Sequence, residues 1–346
     1  MNQFKKSLYG LNLNEIEKLL PGFPRFRAKQ IFGWLLKGAD QFEQMTNIPH
    51  AMQEELAQKF NLFSGNVSFC HEDANTKKIV ISLNDGLKIE SVLLNDGKDR
   101  FTACLSTQAG CSSGCVFCKT GAMGLNRDLD YTEIIEQFFY LKNILNKNLS
   151  EKKIDNIVIM GMGEPFLNLE NLRKAVSFFT DSEGMNFSRR RITVSTCGIC
   201  DSLFDIAKNG PYFRLALSLT TADECLRNRL MPVSKLNPLN KIKEALLSFQ
   251  KNDGGRITLE VPLLGGINCR EKDAQSVLEF SKGLDTIINI IPWNPVDELR
   301  FEGKALREPE KKEMEDFIRM LENRKLKVTM RLHKGRSIMG ACGQLG

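Results

Sequence analysis

Three cysteines within eight residues, Cys111, Cys115 and Cys118, constrain this chain more than any other feature of its sequence. Thiolates separated by three and then by two residues can converge on one metal centre without the closure of a long loop. Three ligands are one fewer than a closed structural zinc site needs, and one fewer than most four-iron clusters use. This three-cysteine loop (111–118) therefore predicts a cluster with one iron open to another ligand. Three buried thiols, or a zinc site completed by a distant residue, are the alternatives.

The residue before the third cysteine, Phe117, is aromatic, and with it the pattern resembles the radical S-adenosylmethionine (SAM) superfamily. In that superfamily the open iron of a 4Fe-4S cluster chelates the amino and carboxylate groups of S-adenosylmethionine. The resemblance therefore implies an oxygen-sensitive 4Fe-4S cluster on the three-cysteine loop, with S-adenosylmethionine bound beside it.

The composition is that of an ordinary globular protein with a mild positive charge. The chain has 346 residues, of which 42% are hydrophobic and 26% charged, and a net charge of +6. This length suits one large α/β domain with a small one, and the charge is compatible with nucleic acid. The sequence shows no signal-like N-terminus and no run of eighteen apolar residues, so we expect a cytoplasmic protein without a membrane segment. Ten cysteines at uneven spacing then indicate reduced thiols rather than a disulfide scaffold.

Three parts of the chain differ in their apolar periodicity. Residues 1–65 have helical spacing and predict a small helical accessory domain, in which basic side chains could contact RNA phosphates. Residues 66–99 predict a β-hairpin connector, with strands Lys78–Leu83 and Leu87–Leu94 around an Asp-Gly turn. Residues 100–346 predict the core, in which strands and helices alternate.

Six short apolar strands alternate with helices in the core, a pattern typical of a parallel sheet with right-handed crossovers. An open six-stranded barrel and a doubly wound sheet both satisfy it. A further strand, Lys327–Leu332, follows the last predicted helix, Pro309–Arg324. The six strands are Phe101–Thr107, Asn156–Met160, Arg191–Thr196, Arg214–Leu219, Arg256–Leu264 and Ile287–Trp293.

Polar side chains and glycines follow these strands, at the edge where chemistry sits in parallel α/β folds. The glycines of Gly161–Pro165 allow close backbone approach to a ligand, and Glu164 offers an acceptor for a ligand ammonium. Hydroxyls and an amide come after the other strands, at Ser195, at 218–220 and at Asn294. Together with the three-cysteine loop they predict a site for a ligand that carries a ribose, an ammonium group and an adenine.

The remaining cysteines fall into two classes. Cys197 and Cys200 form a C-x2-C pair without a second pair of matching spacing, which favours small buried residues over a redox or zinc site. Cys70, Cys225 and Cys269 have no motif around them and receive the same interpretation. Cys342 is different, because glycines and an alanine surround it near the end of the chain, which favours a reactive thiol on a mobile segment.

Several longer motifs resemble the RlmN/Cfr family, radical SAM enzymes that methylate an adenosine of 23S rRNA. They are 104–118, Gly161–Pro165, Ile291–Pro295, Ala341–Leu345 and, near the N-terminus, Phe26–Phe32. The resemblance covers nearly the whole chain and implies an α/β fold, a partial (β/α)6 radical SAM barrel with the small N-terminal helical domain and the β-hairpin connector. It favours the RlmN branch, which methylates carbon 2 of adenine in rRNA and in tRNA next to the anticodon. Carbon-8 methylation of the Cfr type is the alternative within the family, and a non-catalytic metal-binding RNA module is the alternative outside it.

The resemblance also implies a role for each motif residue. Cys342 would carry the transferred methyl, Cys104 would resolve the covalent intermediate through a transient disulfide, and Glu90 would accept a proton, with Asp96 and Asp99 as alternatives closer to Cys104. Family members commonly have histidine where this chain has Thr220. The cluster ligands would be Cys111, Cys115 and Cys118, and the residues that bind S-adenosylmethionine would be Gly163, Glu164, Ser195, Ser218, Leu219, Thr220 and Asn294.

The resemblance further implies the cofactor stoichiometry and the partners. One 4Fe-4S cluster is expected per chain, and two molecules of S-adenosylmethionine are expected per methylation. The expected partners are 23S rRNA, tRNA and a flavodoxin-like electron donor, and the expected state is a monomer without a membrane contact.

Overall fold

The N-terminal residues form a small helical unit closed by two short strands. The computed structural model describes residues 5–146, 152–253, 255–331 and 334–346. The side chain of Asn12 accepts the N–H of Glu15, whose carboxylate accepts the N–H of Asn12 in return, and this capping box starts the first helix. The elements are β1 (Lys6–Ser7), α1 (Leu13–Leu19), α2 (Arg25–Lys37), α3 (His50–Lys59) and β2 (Phe60–Asn61), with β1 and β2 parallel.

Residues 66–95 form three antiparallel strands, β3 (Asn66–Glu72), β4 (Thr76–Ser82) and β5 (Lys88–Asn95). The predicted hairpin corresponds to β4 and β5, but β3 was not predicted. This edge strand is mostly exposed, and only Val67 and Phe69 give it a short alternation of apolar and polar residues, less than a half-buried strand usually shows. The three strands extend the main sheet, because β5 pairs antiparallel with β6 (Phe101–Leu105).

A two-stranded ribbon, β7 (Gln108–Gly110) and β8 (Leu125–Asp128), encloses the three-cysteine loop and the short helix α4 (Lys119–Met123). Gly110 has φ +85°, and a Cβ atom there would lie 2.0 Å from the carbonyl oxygen of Gly124. Only glycine therefore permits this close crossing at the base of the loop.

Seven parallel strands complete a ten-stranded mixed sheet whose order follows the chain from β3 to the last strand. A doubly wound sheet would reverse its strand order, so the sequential order selects the barrel-like alternative. The predicted α/β class and all six predicted core strands are confirmed. Of the further predicted strand, Lys327–Leu332, the last residue lies outside the described residues. After β6 the strands are β9 (Ile154–Ile159), β10 (Ile192–Thr196), β11 (Arg214–Ser218), β12 (Ile257–Leu263), β13 (Thr286–Pro292) and β16 (Val328–Met330), and β14 (Arg300–Phe301) and β15 (Lys304–Ala305) form a separate small ribbon.

Helices connect the parallel strands and pack apolar side chains on the sheet. Four rings, Phe138, Phe139, Phe178 and Phe179, form edge-to-face and tilted contacts between the first two of these helices. In the described part of the chain, no helix has the length and apolar character required to span a bilayer. The helices are α5 (Tyr131–Asn146), α6 (Leu169–Thr180), α7 (Cys200–Asn209), α8 (Glu224–Leu230), α9 (Leu239–Asp253), α10 (Glu271–Ser281) and α11 (Lys311–Glu322).

Candidate active site

A cavity of about 180 Å³ lies at the carboxyl ends of the parallel strands. It brings the three-cysteine loop together with residues at the ends of four other parallel strands, as the sequence predicts. Two predicted residues, Leu219 and Thr220, are not part of its wall. The predicted residues in the wall are Cys111, Cys115, Cys118, Gly163, Glu164, Ser195, Ser218, Asn294 and Cys342.

The thiols of the three-cysteine loop lie in a largely desolvated environment. Burial raises the pKa of all three, and for Cys115 the charges of Cys118 and Cys111 raise it further. Thiolates in such a place need nearby positive charge, which a metal centre supplies. Among the residues that the structure describes, no three His, Cys, Asp or Glu side chains converge closely enough to hold a single metal ion. The thiols instead line a cavity, which fits a larger metal group.

A buried guanidinium, that of Arg227 on α8, lies behind the loop. Its Nη2 donates to the carbonyl oxygens of Cys197 and Ser218 at 2.6 and 3.3 Å, and its Nε donates to that of Leu219 at 3.2 Å. Its Nη1 has no hydrogen-bond partner among the described residues. The Arg227 charge opposes the rise that burial causes in the pKa of Cys115, and it provides a fixed cation where a thiolate-bound cluster would add negative charge. Sequence reasoning missed this residue, because an arginine in a short helix looks like surface charge.

Glu164 is held rigidly by three donors. Its Oε1 accepts the hydroxyl of Thr196 at 2.6 Å and the N–H of Phe166 at 3.0 Å, while Oε2 accepts the N–H of Cys197 at 2.7 Å. Burial raises the pKa of this carboxyl, and the hydrogen bonds oppose the effect. The arrangement presents a fixed, desolvated acceptor at the cavity wall, which suits an incoming ammonium group.

Two hydroxyls and a second carboxylate form the opposite side of the cavity. Ser195 Oγ donates to Glu260 Oε2 at 2.7 Å and lies 3.0 Å from Ser218 Oγ. Glu260 was not predicted, although a lone acidic residue inside the apolar strand β12 is a usable signal. Leu219 and Thr220 are both fully buried beside this group, and Thr220 has φ +62°.

The C-terminal segment that carries Cys342 is anchored on both sides of the thiol. Asn294 Nδ2 donates to the carbonyl of Cys342 at 2.9 Å, and the N–H of Lys119 donates to that of Gly343 at 2.8 Å. Thr120 Oγ1 donates to the carbonyl of Leu345 at 2.6 Å. Backbone groups of the segment thus find partners on loops that are distant in sequence, and the mobility expected for this segment stays a prediction.

Cys104 and Cys342 line a second cavity of about 540 Å³, inside the sheet and next to the first. Burial and the neighbouring Cys342 raise the pKa of Cys104 to about 12, while Arg331 opposes the effect. All ten cysteines are free thiols, so these two are neighbours without a bond. The wall also carries several basic residues: Arg100, Arg190, Arg191, Arg214, Arg331 and Lys334.

Glu90 lies on β5, two residues before Val92, which pairs with Cys104 on β6. Its carboxylate forms an ion pair with Lys78 at 3.0 Å, and both side chains are largely buried. The N–H of Gly346 donates to Glu90 Oε2 at 3.1 Å, which ties the carboxylate to the segment of Cys342. The alternatives Asp96 and Asp99 belong to the β5–β6 turn, where Asp96 accepts the backbone N–H of Lys98. Asp96 also lines the second cavity, at its outer part.

Comparisons with known proteins cover the whole chain. Family models of the radical SAM superfamily and of the ribosomal RNA large subunit methyltransferase N-terminal domain match residues 105–277 and 6–62. A probable dual-specificity RNA methyltransferase RlmN from Treponema denticola is 44% identical over 347 residues, which cover 100% of this chain and 97% of the relative. Its counterpart from Treponema pallidum (strain Nichols) is 39% identical, with 98% and 97% covered. The crystal structure of a radical SAM methyltransferase from Sphaerobacter thermophilus has a TM-score of 0.92 at 34% identity, covering 98% of this chain and 99% of that chain.

The chain belongs to the RlmN family of radical SAM RNA methyltransferases. The predicted family and the predicted enzyme class are thereby confirmed, and a non-catalytic RNA module is set aside. Membership of the radical SAM superfamily implies an iron–sulfur cluster and S-adenosylmethionine.

For the other five cysteines of this RlmN-family chain, the prediction that they are small buried residues is only partly correct. Cys197 and Cys269 are buried, and Cys200 is the first residue of α7 and partly buried, in line with the structural interpretation. Cys70 and Cys225 are exposed, so their prediction as buried residues is wrong. Both belong to elements with one side open to solvent, β3 and α8, which a lone cysteine in the sequence does not reveal.

Proposed function

We propose that this enzyme methylates carbon 2 of an adenosine in the peptidyl-transferase centre of 23S rRNA and of the adenosine 3′ to the anticodon in tRNA. One observation carries the proposal: the three-cysteine loop, Cys104 and Cys342 line two adjoining cavities, and Glu90 accepts a hydrogen bond from Gly346 at the end of the segment that carries Cys342. The full-length relatives named dual-specificity RNA methyltransferases support the two RNA substrates.

We assign the residues that line the smaller cavity to the binding of the two cofactors. Cys111, Cys115 and Cys118 would hold one 4Fe-4S cluster, which with S-adenosylmethionine supplies the methyl group and the radical that activates it. Glu164 would accept the ammonium group of S-adenosylmethionine, while Ser195, Ser218 and Asn294 would bind its polar groups. Gly163 would allow close approach of the backbone. Leu219 and Thr220, which are fully buried outside the cavity wall, would hold Ser218 in place behind the cofactor.

Cys342, Glu90 and Cys104 would each act in a different step of the methylation. Cys342 thiolate would attack the methyl carbon of a first S-adenosylmethionine, so that the methyl group moves to Cys342 sulfur and S-adenosylhomocysteine leaves. A second S-adenosylmethionine would be consumed when this methyl group is activated. The activated carbon joins adenine carbon 2, leaving a methylene bridge between protein and RNA. Glu90, oriented by Lys78, would take the ring proton from carbon 2, and the cluster held by the three-cysteine loop would accept the one electron left over from the radical addition.

Release of the RNA requires the neighbouring thiol. Cys104, as thiolate, attacks Cys342 sulfur, and the bond from that sulfur to the bridging carbon breaks. The electron pair stays with that carbon, which takes a proton and becomes the methyl group. A Cys104–Cys342 disulfide remains, and a dithiol reductant must open it before the next turnover. The high pKa of the buried Cys104 means that a proton acceptor must assist the attack.

The basic wall of the larger cavity suits the RNA. Six arginine and lysine side chains line it below Cys342, so phosphates near the target nucleotide would find compensating charge there. We further propose residues 1–65 as an accessory RNA-binding domain, 66–99 as the connector and 100–346 as the radical SAM core. A cytoplasmic monomer that receives electrons from a flavodoxin-like protein completes the proposal.

Two single variants test the assignment of the thiols. Cys342→Ala cannot accept the methyl group, so we expect neither methylated RNA nor a covalent adduct. Cys104→Ala forms the methylene bridge but cannot release it, so a protein–RNA adduct should accumulate on denaturing gels with labelled RNA. Cys225→Ala, an exposed thiol outside both cavities, is the control and should turn over normally. Normal turnover by Cys104→Ala, or equal adducts from both active-site variants, would contradict the assignment.

Mass analysis of the nucleosides decides which ring carbon is methylated. We expect 2-methyladenosine from both 23S rRNA and tRNA fragments incubated side by side. If 8-methyladenosine is the main product, the carbon-8 alternative replaces the proposal.

A further inference from the structure

Two aromatic rings and a lysine form an exposed patch on the edge strand β3, outside the proposed chemistry. Phe69 is 57% exposed. Its ring centroid lies 6.5 Å from that of His71, and the two ring planes differ by 23°. Lys88 Nζ lies 6.0 Å from the centre of the Phe69 ring. These three residues, the β3 platform, present flat rings next to a positive charge.

Strand register places the β3 platform on the same face of the sheet as the proposed catalytic residues. Residues paired between neighbouring strands point to one face. Two rows of such pairs cross the sheet, Phe69–Val80–Glu90 and His71–Lys78–Val92–Cys104. Lys88 precedes Glu90 by two residues and therefore faces the same way. The platform thus continues the catalytic face to the edge of the sheet.

The distance from the platform to the thiols is short on the scale of a nucleic acid. Three strand separations of about 4.8 Å each put β3 roughly 14 Å from β6. If the target base of an RNA strand lies between Glu90 and Cys104, a nucleotide a few positions along the same strand can therefore lie over Phe69.

We propose that Phe69, His71 and Lys88 bind unpaired nucleotides of the RNA substrate that flank the target adenosine. Bases would stack on the two rings, and Lys88 would contact a phosphate. Stacking on aromatic side chains of a sheet is a common way to hold single-stranded RNA, and it tolerates any base. That tolerance suits an enzyme with two RNA substrates of different sequence, so the inference rests on the proposed function and adds contact residues to it.

Binding measurements with the full chain test the platform. The probes are a fluorescein-labelled tRNA anticodon stem-loop and a labelled 23S rRNA hairpin, followed by anisotropy at fixed salt. We expect Phe69→Ala to raise Kd for both probes by about 5- to 100-fold, the range of one lost base–aromatic stack. Phe69→Trp should restore wild-type affinity, and Lys88→Gln should make the salt dependence shallower by about one unit of slope.

The matched control is Cys70→Ala, which changes the next residue along the same exposed strand on the opposite face. Its Kd should equal that of the wild type. A 2-aminopurine placed a few positions from the target adenosine gives a second readout, because stacking on Phe69 should change its fluorescence with wild type but not with Phe69→Ala.

The outcomes separate the platform from the proposed function. If wild type methylates both RNAs while Phe69→Ala binds them within twofold of wild type, the platform is wrong and the function stands. If Phe69→Ala changes only self-association in sedimentation experiments, the patch is a protein contact and the platform is equally wrong. If wild type forms no methyladenosine on either RNA, the proposed function itself fails.

Discussion

Gly163 lies where an added methyl group would collide with a neighbouring strand. Its φ is +100°, and a Cβ atom would lie 2.6 Å from Gln108 Cβ and 2.8 Å from Gln108 N. The backbone of β7 cannot move freely, because the three-cysteine loop follows it directly. Gln108 Oε1 also accepts the N–H of Glu164 at 2.8 Å, so a displaced Gln108 would disturb the proposed acceptor for S-adenosylmethionine.

The cost of Gly163→Ala has two parts. A positive φ at a non-glycine residue costs about 1–2 kcal/mol, and overpacking costs about 1–3 kcal/mol. We therefore expect the free energy of unfolding to fall by about 2–5 kcal/mol. The matched control is Gly97→Ala, because Gly97 has φ +84° and a Cβ atom there would meet nothing within 4 Å. It should lose only the first part, about 1–2 kcal/mol.

Urea unfolding followed by tryptophan fluorescence measures both variants under anaerobic conditions. Binding of S-adenosylmethionine to the folded, reconstituted proteins is the second measurement, and we expect Gly163→Ala to bind more weakly while Gly97→Ala binds as wild type does. The reasoning is refuted if Gly163→Ala loses no more stability than Gly97→Ala and binds S-adenosylmethionine normally.

Three further predictions concern the metal, the RNA and pH. Alanine in place of Cys111, Cys115 or Cys118 should abolish iron loading in anaerobic reconstitution. A triple alanine variant that still binds iron and cleaves S-adenosylmethionine would overturn the central assignment. RNA affinity should fall steeply as the salt concentration rises, and Arg214→Gln should reduce the slope of log Kd against log salt by about one. The control Arg319→Gln, at a distant and exposed arginine, should leave the slope unchanged. A Kd that does not depend on salt would contradict the phosphate contacts. Burial raises the pKa of Glu136 to about 8, while Ser7 and Ser64 donate to its carboxylate. This folded-state pKa lies above the ordinary value of about 4.3. The contribution of Glu136 to the free energy of unfolding is therefore complete below about pH 4.3 and is lost as pH rises through about 8. Stability should therefore decline by up to about 1.4 kcal/mol per pH unit between these limits, and Glu136→Gln should flatten that decline in urea unfolding at pH 5.5 and 7.5.

Local sequence was sufficient for the features whose signal lies within a few residues. The Asp-Gly turn between β4 and β5 and the apolar core strands were predicted correctly. The cysteine spacing predicted that three thiols converge, and all three line one cavity, while their role as cluster ligands stays a prediction. The edge strand β3 was not predicted, because an exposed strand has no buried face that requires a run of alternating apolar residues. Glu260 and Arg227 escaped because their importance comes from burial, and a charged residue in a sequence does not show whether water surrounds it.

The sequence by itself determined the family, the cluster motif and the order of the chemical groups along the chain, because these depend on residue identity and short spacing. Only the tertiary structure decided which of those groups meet. Cys104 and Cys342 are 238 positions apart (342 − 104) and become neighbours through the pairing of the sheet and the anchoring of the C-terminal segment. The same pairing places Phe69 on the catalytic face and turns Leu219 and Thr220 away from the cavity. Contacts of this kind depend on strand register and on hydrogen bonds between distant loops, which no local pattern of residues specifies.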